Sequence, residues 1–97
     1  MRRNEVLETL RFHWDELSAM GVRSLSLFGS VARDEATVGS DVDLIIDVRR
    51  PMGLFQFFKI QHFLEDLLGV QRVDLIERSA IHPALKSRIL SEAVDVS

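Results

Sequence analysis

Residues 41 to 48 form an alternating stretch that constrains the fold of this chain more than any other segment. Three of its odd positions are aspartates and its even positions are apolar: Asp41, Asp43 and Asp47 against Val42, Leu44, Ile46 and Val48. Because successive side chains of a β-strand point to opposite faces, this pattern predicts a strand with one buried and one acidic face. Exposed strand edges favour lysine, and unpaired carboxylates beside a core are costly, so the acidic face favours a functional role over a solvated edge.

Similar patterns elsewhere predict an α+β fold in which helices pack on a small mixed sheet. Further strands are expected at residues 24–28, 73–76 and 94–96. Helices are expected at residues 5–20, 30–36, 54–68 and 83–93, the last with Leu85, Ile89 and Leu90 facing inward. With 97 residues, the chain has room for a single domain, residues 1–97, and none for a separate lid or substrate domain.

Charge and composition exclude several classes of function. The net charge is −3, whereas nucleic-acid binders usually carry a clustered cationic excess, so direct nucleic-acid binding is not expected. The absence of cysteine excludes disulfides and thiolate metal sites, which leaves carboxylates or imidazoles as metal ligands. The longest stretch without charged residues has nine residues, 24–32, which is too short to span a bilayer, so a cytoplasmic protein without a membrane segment is expected.

Two short motifs could bind a phosphate and a metal ion. Gly29 and Ser30 follow a predicted strand and open a helix, where backbone amides attract an anion and glycine permits close approach. Taken alone, this pair is better explained by an ordinary turn with a serine N-cap. Asp41 and Asp43 share a strand face with Cα atoms about 6.6 Å apart, a separation that suits shared Mg²⁺ ligation. Asp74 would join them if its strand lies beside residues 41–48, and two such metal ions could activate an attacking oxygen and neutralise a leaving group.

These motifs together resemble the minimal nucleotidyltransferases of the DNA polymerase beta-like superfamily. The resemblance rests on three separated elements in the family's order: Gly29-Ser30-Val31-Ala32-Arg33-Asp34, Ser40-Asp41-Val42-Asp43-Leu44 and the in-strand Asp74. The family's pattern has glycine where this chain has Asp34. If that position needs a left-handed backbone, aspartate tolerates it better than most residues, so little damage is expected.

The resemblance implies transfer of a nucleoside monophosphate from a nucleoside triphosphate, with ATP as the expected donor, to an acceptor hydroxyl. It implies that Asp41 and Asp43 hold Mg²⁺, with two ions expected, and that Asp74 completes the metal site and helps to deprotonate the acceptor. Four residues are implied to bind the nucleotide, the first two at its β and γ phosphates: Gly29, Ser30, Arg33 and Ser40. Arg33 equally fits a surface pair with Asp34, Glu35 or Asp47.

Small members of the family resemble the antitoxin of a toxin-antitoxin pair. The toxin in such a pair is a helical HEPN ribonuclease, and the resemblance implies that the antitoxin inhibits it by adenylylating one of its tyrosines, by binding it, or by both. The chain contains no tyrosine, so an acceptor phenol must lie on another chain. Two other functions stay open. One is a non-catalytic binding module, which three intact carboxylates disfavour; the other is transfer to a small molecule, for which 97 residues leave little pocket wall.

The predicted helix at residues 54–68 carries more apolar side chains than one helix face can bury. Phe57, Ile60, Leu64, Leu67 and Leu68 supply an inward stripe, which leaves Phe55, Phe58 and Phe63 for the outside. Exposed phenylalanines indicate an interface, so we expect this helix to bind a helical partner protein or, failing that, a second copy of the chain. The alternative is that all these residues are core, buried under the first and last helices.

Overall fold

The computed structural model describes residues 2–35 and 41–96. Five helices and four strands are assigned there, in the order α1 (Arg3–Phe12), α2 (Trp14–Ala19), β1 (Val22–Phe28), α3 (Gly29–Ala32), β2 (Val42–Val48), α4 (Leu54–Leu68), β3 (Val73–Glu77), α5 (Pro83–Glu92) and β4 (Val94–Asp95). A short 3₁₀ helix, Arg78–Ala80, lies between β3 and α5. In this part of the chain no helix is long and apolar enough to cross a membrane.

The four strands form one mixed sheet in the order β3-β2-β1-β4. β1 pairs antiparallel with both β2 and β4, whereas β2 pairs parallel with β3, so that Asp43 lies opposite Asp74. A parallel pair needs a long crossover, and α4 supplies it between β2 and β3. The expected α+β fold, a small mixed sheet packed by helices, is confirmed.

The hydrophobic core lies between one face of the sheet and helices α1, α2 and α4. On the sheet, Leu27 pairs with Leu44 and Leu25 pairs with Ile46. These residues belong to a single buried cluster with side chains from the three helices: Val6, Leu7 and Leu10, then Leu17, then Ile60, Leu64 and Leu68. The even positions of residues 42–46 therefore face this core, as the alternation predicted, although Ile45 on the opposite face is also buried.

Two helix boundaries differ from the sequence prediction. The single helix expected at residues 5–20 is broken at His13 into α1 and α2, which apolar spacing does not encode because Leu10 and Leu17 reach the core on either side of the bend. The helix expected at residues 30–36 ends at Ala32. Asp34 has a φ of +57°, a left-handed conformation that cannot continue an α-helix.

Helix α5 forms as predicted but does not face inward. None of its residues is buried, and Leu85 is 50% exposed; Ile89 and Leu90 are half-buried. The prediction of an inward Leu85 was therefore wrong. An apolar stripe indicates which side of a helix can be covered, and here α1, α2 and α4 already provide the helical side of the core.

Candidate functional site

Three carboxylates meet on the sheet face opposite the core, and we call Asp41, Asp43 and Asp74 the carboxylate cluster. Asp43 in β2 and Asp74 in β3 occupy opposite positions of the parallel pair, so the condition under which Asp74 was expected to join the other two aspartates is met. Asp41 lies immediately before β2. The Arg72 guanidinium contacts two members of the cluster, with Nε 2.9 Å from Asp74 Oδ1 and 4.0 Å from Asp41 Oδ2.

The pKa of Asp43 is raised from 3.8 to about 6. Burial is the largest cause, followed by the negative charge of Asp74, a side-chain hydrogen bond with Asp74 and the charge of Asp41, while Arg33 acts in the opposite direction. Both burial and neighbouring carboxylates disfavour the ionised form. Negative charge therefore outweighs positive charge around Asp43, and strongly perturbed carboxylates of this kind are typical of functional sites.

Gly29 borders the carboxylate cluster at the junction of β1 and α3. Its φ is +76°, which favours glycine. A Cβ atom at this position would collide with the Asp43 carboxylate, lying 3.1 Å from Asp43 Cγ. From the sequence, glycine at this position was expected to leave room for an approaching phosphate. In the structure the Asp43 carboxylate lies against Gly29, so the absence of a side chain at Gly29 first makes room for Asp43.

Arg33 lies just after α3 and forms ion pairs with two glutamates. Its Nε is 3.2 Å from Glu35 Oε2, and its Nη1 is 3.7 Å from Glu92 Oε2 in α5. Of the three acidic partners considered from sequence, only Glu35 pairs with Arg33. Glu92 was missed because it comes from a distant part of the chain.

With one exception, the other residues named from the sequence lie around α3 and along β2. Asp34 accepts a hydrogen bond from the Arg3 backbone N–H at 3.3 Å, and its positive φ confirms that aspartate stands in a left-handed position. Ser30 is half-buried in α3, and its carbonyl accepts a hydrogen bond from the Glu35 N–H at 2.8 Å. Asp47 pairs with Arg23 at 3.7 Å. Ser40 lies outside the described residues.

The donor set of the carboxylate cluster suits a hard divalent cation, since Mg²⁺ prefers carboxylate oxygens. Yet among residues 2–35 and 41–96 no three acidic or imidazole side chains are arranged so that all could hold one ion. The structure thus brings Asp43 and Asp74 together on adjacent strands, and the Arg72 guanidinium lies between Asp74 and Asp41.

Sequence reasoning missed Arg72. The signal was present, because Arg72 stands two positions before Asp74 and residues at that spacing share a strand face. The register of the parallel pair, with Val42 opposite Val73, also places Arg72 next to Asp41.

A family model described as a nucleotidyltransferase domain matches residues 4–96. The chain is 38% identical over 93 residues to the protein adenylyltransferase MntA of Thermococcus cleftensis, covering 95% of this chain and 93% of that protein. It is also 39% identical over 93 residues to a Methanocaldococcus jannaschii protein provisionally named a protein adenylyltransferase, with 94% of each chain covered.

Solved structures agree with this fold. One, provisionally described as a minimal nucleotidyltransferase, is 35% identical with a TM-score of 0.81, covering 97% of this chain and 95% of the other. A toxin-antitoxin structure with AMP-PNP is 16% identical with a TM-score of 0.70, covering 100% and 73%. A complex of a tri-AMPylated HEPN toxin of Shewanella oneidensis with MNT antitoxin is 13% identical with a TM-score of 0.59, covering 89% and 70%. At these last two identities the likeness extends to the fold alone.

Proposed function

Because the chain belongs to the nucleotidyltransferase family, we propose that it is a Mg²⁺-dependent protein adenylyltransferase that moves AMP from ATP to a hydroxyl group of a partner protein. The observation that carries the proposal is the pairing of Asp43 with Asp74 on adjacent strands, directly beside the glycine that begins α3. The names of the relatives from Thermococcus cleftensis and Methanocaldococcus jannaschii support AMP as the transferred group. Residues 1–97 are proposed to form one catalytic domain.

In this proposal Asp41 and Asp43 hold Mg²⁺, with two ions expected, and Asp74 is the third metal ligand. A bound Mg²⁺ supplies positive charge that stabilises the triphosphate and the developing negative charge of the reaction. Gly29 and Ser30 at the start of α3 bind the β and γ phosphates through backbone amides. Arg33 and Ser40 are the remaining proposed nucleotide-binding residues, and Arg33 would have to leave Glu35 or Glu92 to contact a phosphate.

The proposed reaction is an in-line displacement at the α-phosphorus of ATP. The acceptor hydroxyl oxygen forms a bond to this phosphorus, and the bond from the phosphorus to the oxygen that bridges it to the β-phosphate breaks. Pyrophosphate leaves with that electron pair. The hydroxyl proton passes to the Asp74 carboxylate, a general-base role that requires this carboxylate to be ionised and within hydrogen-bond reach of the acceptor.

The proposed acceptor is a tyrosine of a HEPN-type helical toxin, with this chain as its antitoxin. Two observations support a partner in trans. The chain has no tyrosine of its own, and the fold resembles that of a chain in a complex with an AMPylated HEPN toxin.

The proposed docking surface is the exposed face of α4, made of Leu54, Phe55 and Phe58. Their exposed fractions are 68%, 93% and 44%, whereas Ile60 and Leu64 of the same helix are fully buried. The expectation that Phe55 and Phe58 face outward is confirmed, and the alternative that all apolar residues of this helix are core is wrong. Phe63 was expected outside but is half-buried against the core, because it lies one position before Leu64 and borders its buried stripe.

Transfer is tested by incubating the protein with labelled ATP, Mg²⁺ and a co-purified helical partner, followed by mass spectrometry. We expect label on a partner tyrosine, no label with Asp43→Asn and full labelling with Asp47→Asn, which removes a charge from the same face of β2 but outside the cluster. Binding without label would favour a non-catalytic antitoxin. Label on a small molecule alone would overturn the protein acceptor.

Docking is tested separately by capture of the same partner. Phe55→Glu and Phe58→Glu should each release the partner while the isolated domain keeps its thermal unfolding transition. Phe12→Glu is the matched control, because Phe12 is 84% exposed but lies in α1. Retained capture by both α4 variants would contradict this docking surface.

A further inference from the structure

Arg72 contacts the very carboxylates to which the proposed function assigns Mg²⁺. Among the described residues it is the one basic side chain within 4.0 Å of carboxylate oxygens of the cluster, since Arg33 pairs with Glu35 and Glu92 instead. The arginine is not needed to fix the local backbone, because the carbonyl of Arg72 accepts the Val42 N–H regardless of its side chain. We therefore attribute the position of the Arg72 guanidinium to its positive charge beside the carboxylates.

The sheet register explains the charge arrangement. Asp43 lies opposite Asp74, and like charges at opposite positions of neighbouring strands repel. One step earlier along both strands, Asp41 and Arg72 precede Val42 and Val73, which are themselves opposite each other. The result is a two-by-two array with three carboxylates and one guanidinium, in which Arg72 offsets part of the repulsion around Asp43 and Asp74.

We propose that Arg72 is the counter-cation of the metal-free carboxylate cluster and that it must leave Asp74 Oδ1 when a divalent metal ion binds. The inference rests on the proposed function, because that function places the metal at these residues. A guanidinium and a hard divalent cation compete for the same carboxylate oxygens. Two cations held within a few ångströms also repel each other. Arg72 is thus a positioning residue that sets how tightly the cluster takes up metal.

The test is direct titration of the full chain with Mn²⁺ alone, followed by electron paramagnetic resonance of the free ion. Arg72→Gln should tighten Mn²⁺ binding about three- to tenfold, the range expected from losing a solvent-exposed ion pair and a nearby repulsion. Arg72→Lys, which keeps the charge without the planar fork, should fall between Arg72→Gln and wild type. In EDTA, Arg72→Gln should also melt at a lower temperature than wild type.

Arg23→Gln is the matched control, because it removes the same charge from a residue that pairs with Asp47 on the same face of β2. It should leave Mn²⁺ affinity close to that of wild type. Equal affinities for Arg72→Gln and Arg23→Gln would overturn the inference, as would the absence of Mn²⁺ binding in every variant. Failure of the proposed function would show differently, as no AMP transfer by a wild-type protein that still binds Mn²⁺.

Discussion

Asp43 and Leu44 are consecutive residues of β2 with opposite environments. Leu44 is fully buried between the sheet and the helices, where burying a leucine side chain stabilises the fold by about 1.5–3 kcal/mol. Asp43 projects to the other face, where burial, Asp74 and Asp41 all raise its pKa. One face of this sheet therefore contributes stability, whereas the other holds like charges together at a cost in stability.

Strand alternation, rather than distance along the chain, therefore separates the residues that stabilise the fold from those that form the candidate site. The same separation is seen in β3, where Asp74 belongs to the carboxylate cluster and the adjacent Val73 is buried in the core. Substitutions on the core face should accordingly change the free energy of unfolding, whereas substitutions in the carboxylate cluster should change AMP transfer or the binding of metal and nucleotide.

The largest effect is expected on the rate of AMP transfer. Asp74→Asn should slow single-turnover transfer about 10²- to 10⁴-fold, because it removes the proposed general base. Binding of Mg²⁺ and ATP should stay largely intact in a parallel calorimetric titration, since Asp41 and Asp43 remain. If binding and rate fell together, Asp74 would act first as a metal ligand.

The next largest effect is expected on the core face. Leu44→Ala should lower the free energy of unfolding by about 2–5 kcal/mol, because it removes buried methyl groups and leaves a cavity. Urea unfolding monitored by circular dichroism measures this loss. Nucleotide binding per folded molecule should be retained, so a Leu44→Ala protein that is stable but inactive would break the proposed separation of the two faces.

A smaller effect distinguishes two glycines with positive φ. Gly29→Ala and Gly69→Ala should each cost about 1–2 kcal/mol in unfolding free energy from left-handed strain. Only Gly29→Ala should also abolish nucleotide binding, because its Cβ would displace the Asp43 carboxylate, whereas nothing lies within 4 Å of a Cβ at Gly69. Equal nucleotide affinity in the two variants would separate Gly29 from the site.

The sequence predicted the strands and the two faces of residues 41–48, because side-chain alternation is a local property. It placed Asp74 with Asp43 only on the condition that their strands are neighbours, and the parallel pairing of β2 and β3 meets that condition. For Asp34 the sequence supported only a conditional statement, that aspartate would tolerate a left-handed backbone if the position needed one, and the structure shows that it does, with a φ of +57°. The sequence did not predict the bend at His13 or the pairing of Arg33 with Glu92, since both depend on how distant segments pack. The alternation of side chains along a strand places Arg72 on the same face as Asp74, but Arg72 was not considered as a member of the site.

The smallest effect is a pH dependence of stability in the metal-free protein. Because the pKa of Asp43 is raised to about 6 in the folded state, its stabilising contribution is fully present below about 3.8 and is lost as the pH rises through about 6. Asp43→Asn stays neutral throughout. Its melting temperature in EDTA should match that of wild type more closely near pH 4 and exceed it above pH 7, and a constant difference across this range would contradict the assigned cause.

The decisive measurement is the melting temperature at pH 8 with EDTA and then with Mg²⁺ plus a non-hydrolysable ATP analogue, for wild type and Asp43→Asn. Ligand that binds only the folded state should raise the wild-type melting temperature. Asp43→Asn should start above wild type in EDTA and show no rise with Mg²⁺ and analogue. An Asp43→Asn protein that melts below wild type in EDTA, yet is stabilised by Mg²⁺ and analogue as much as wild type, would contradict the assignment of this face of the sheet to metal and nucleotide binding.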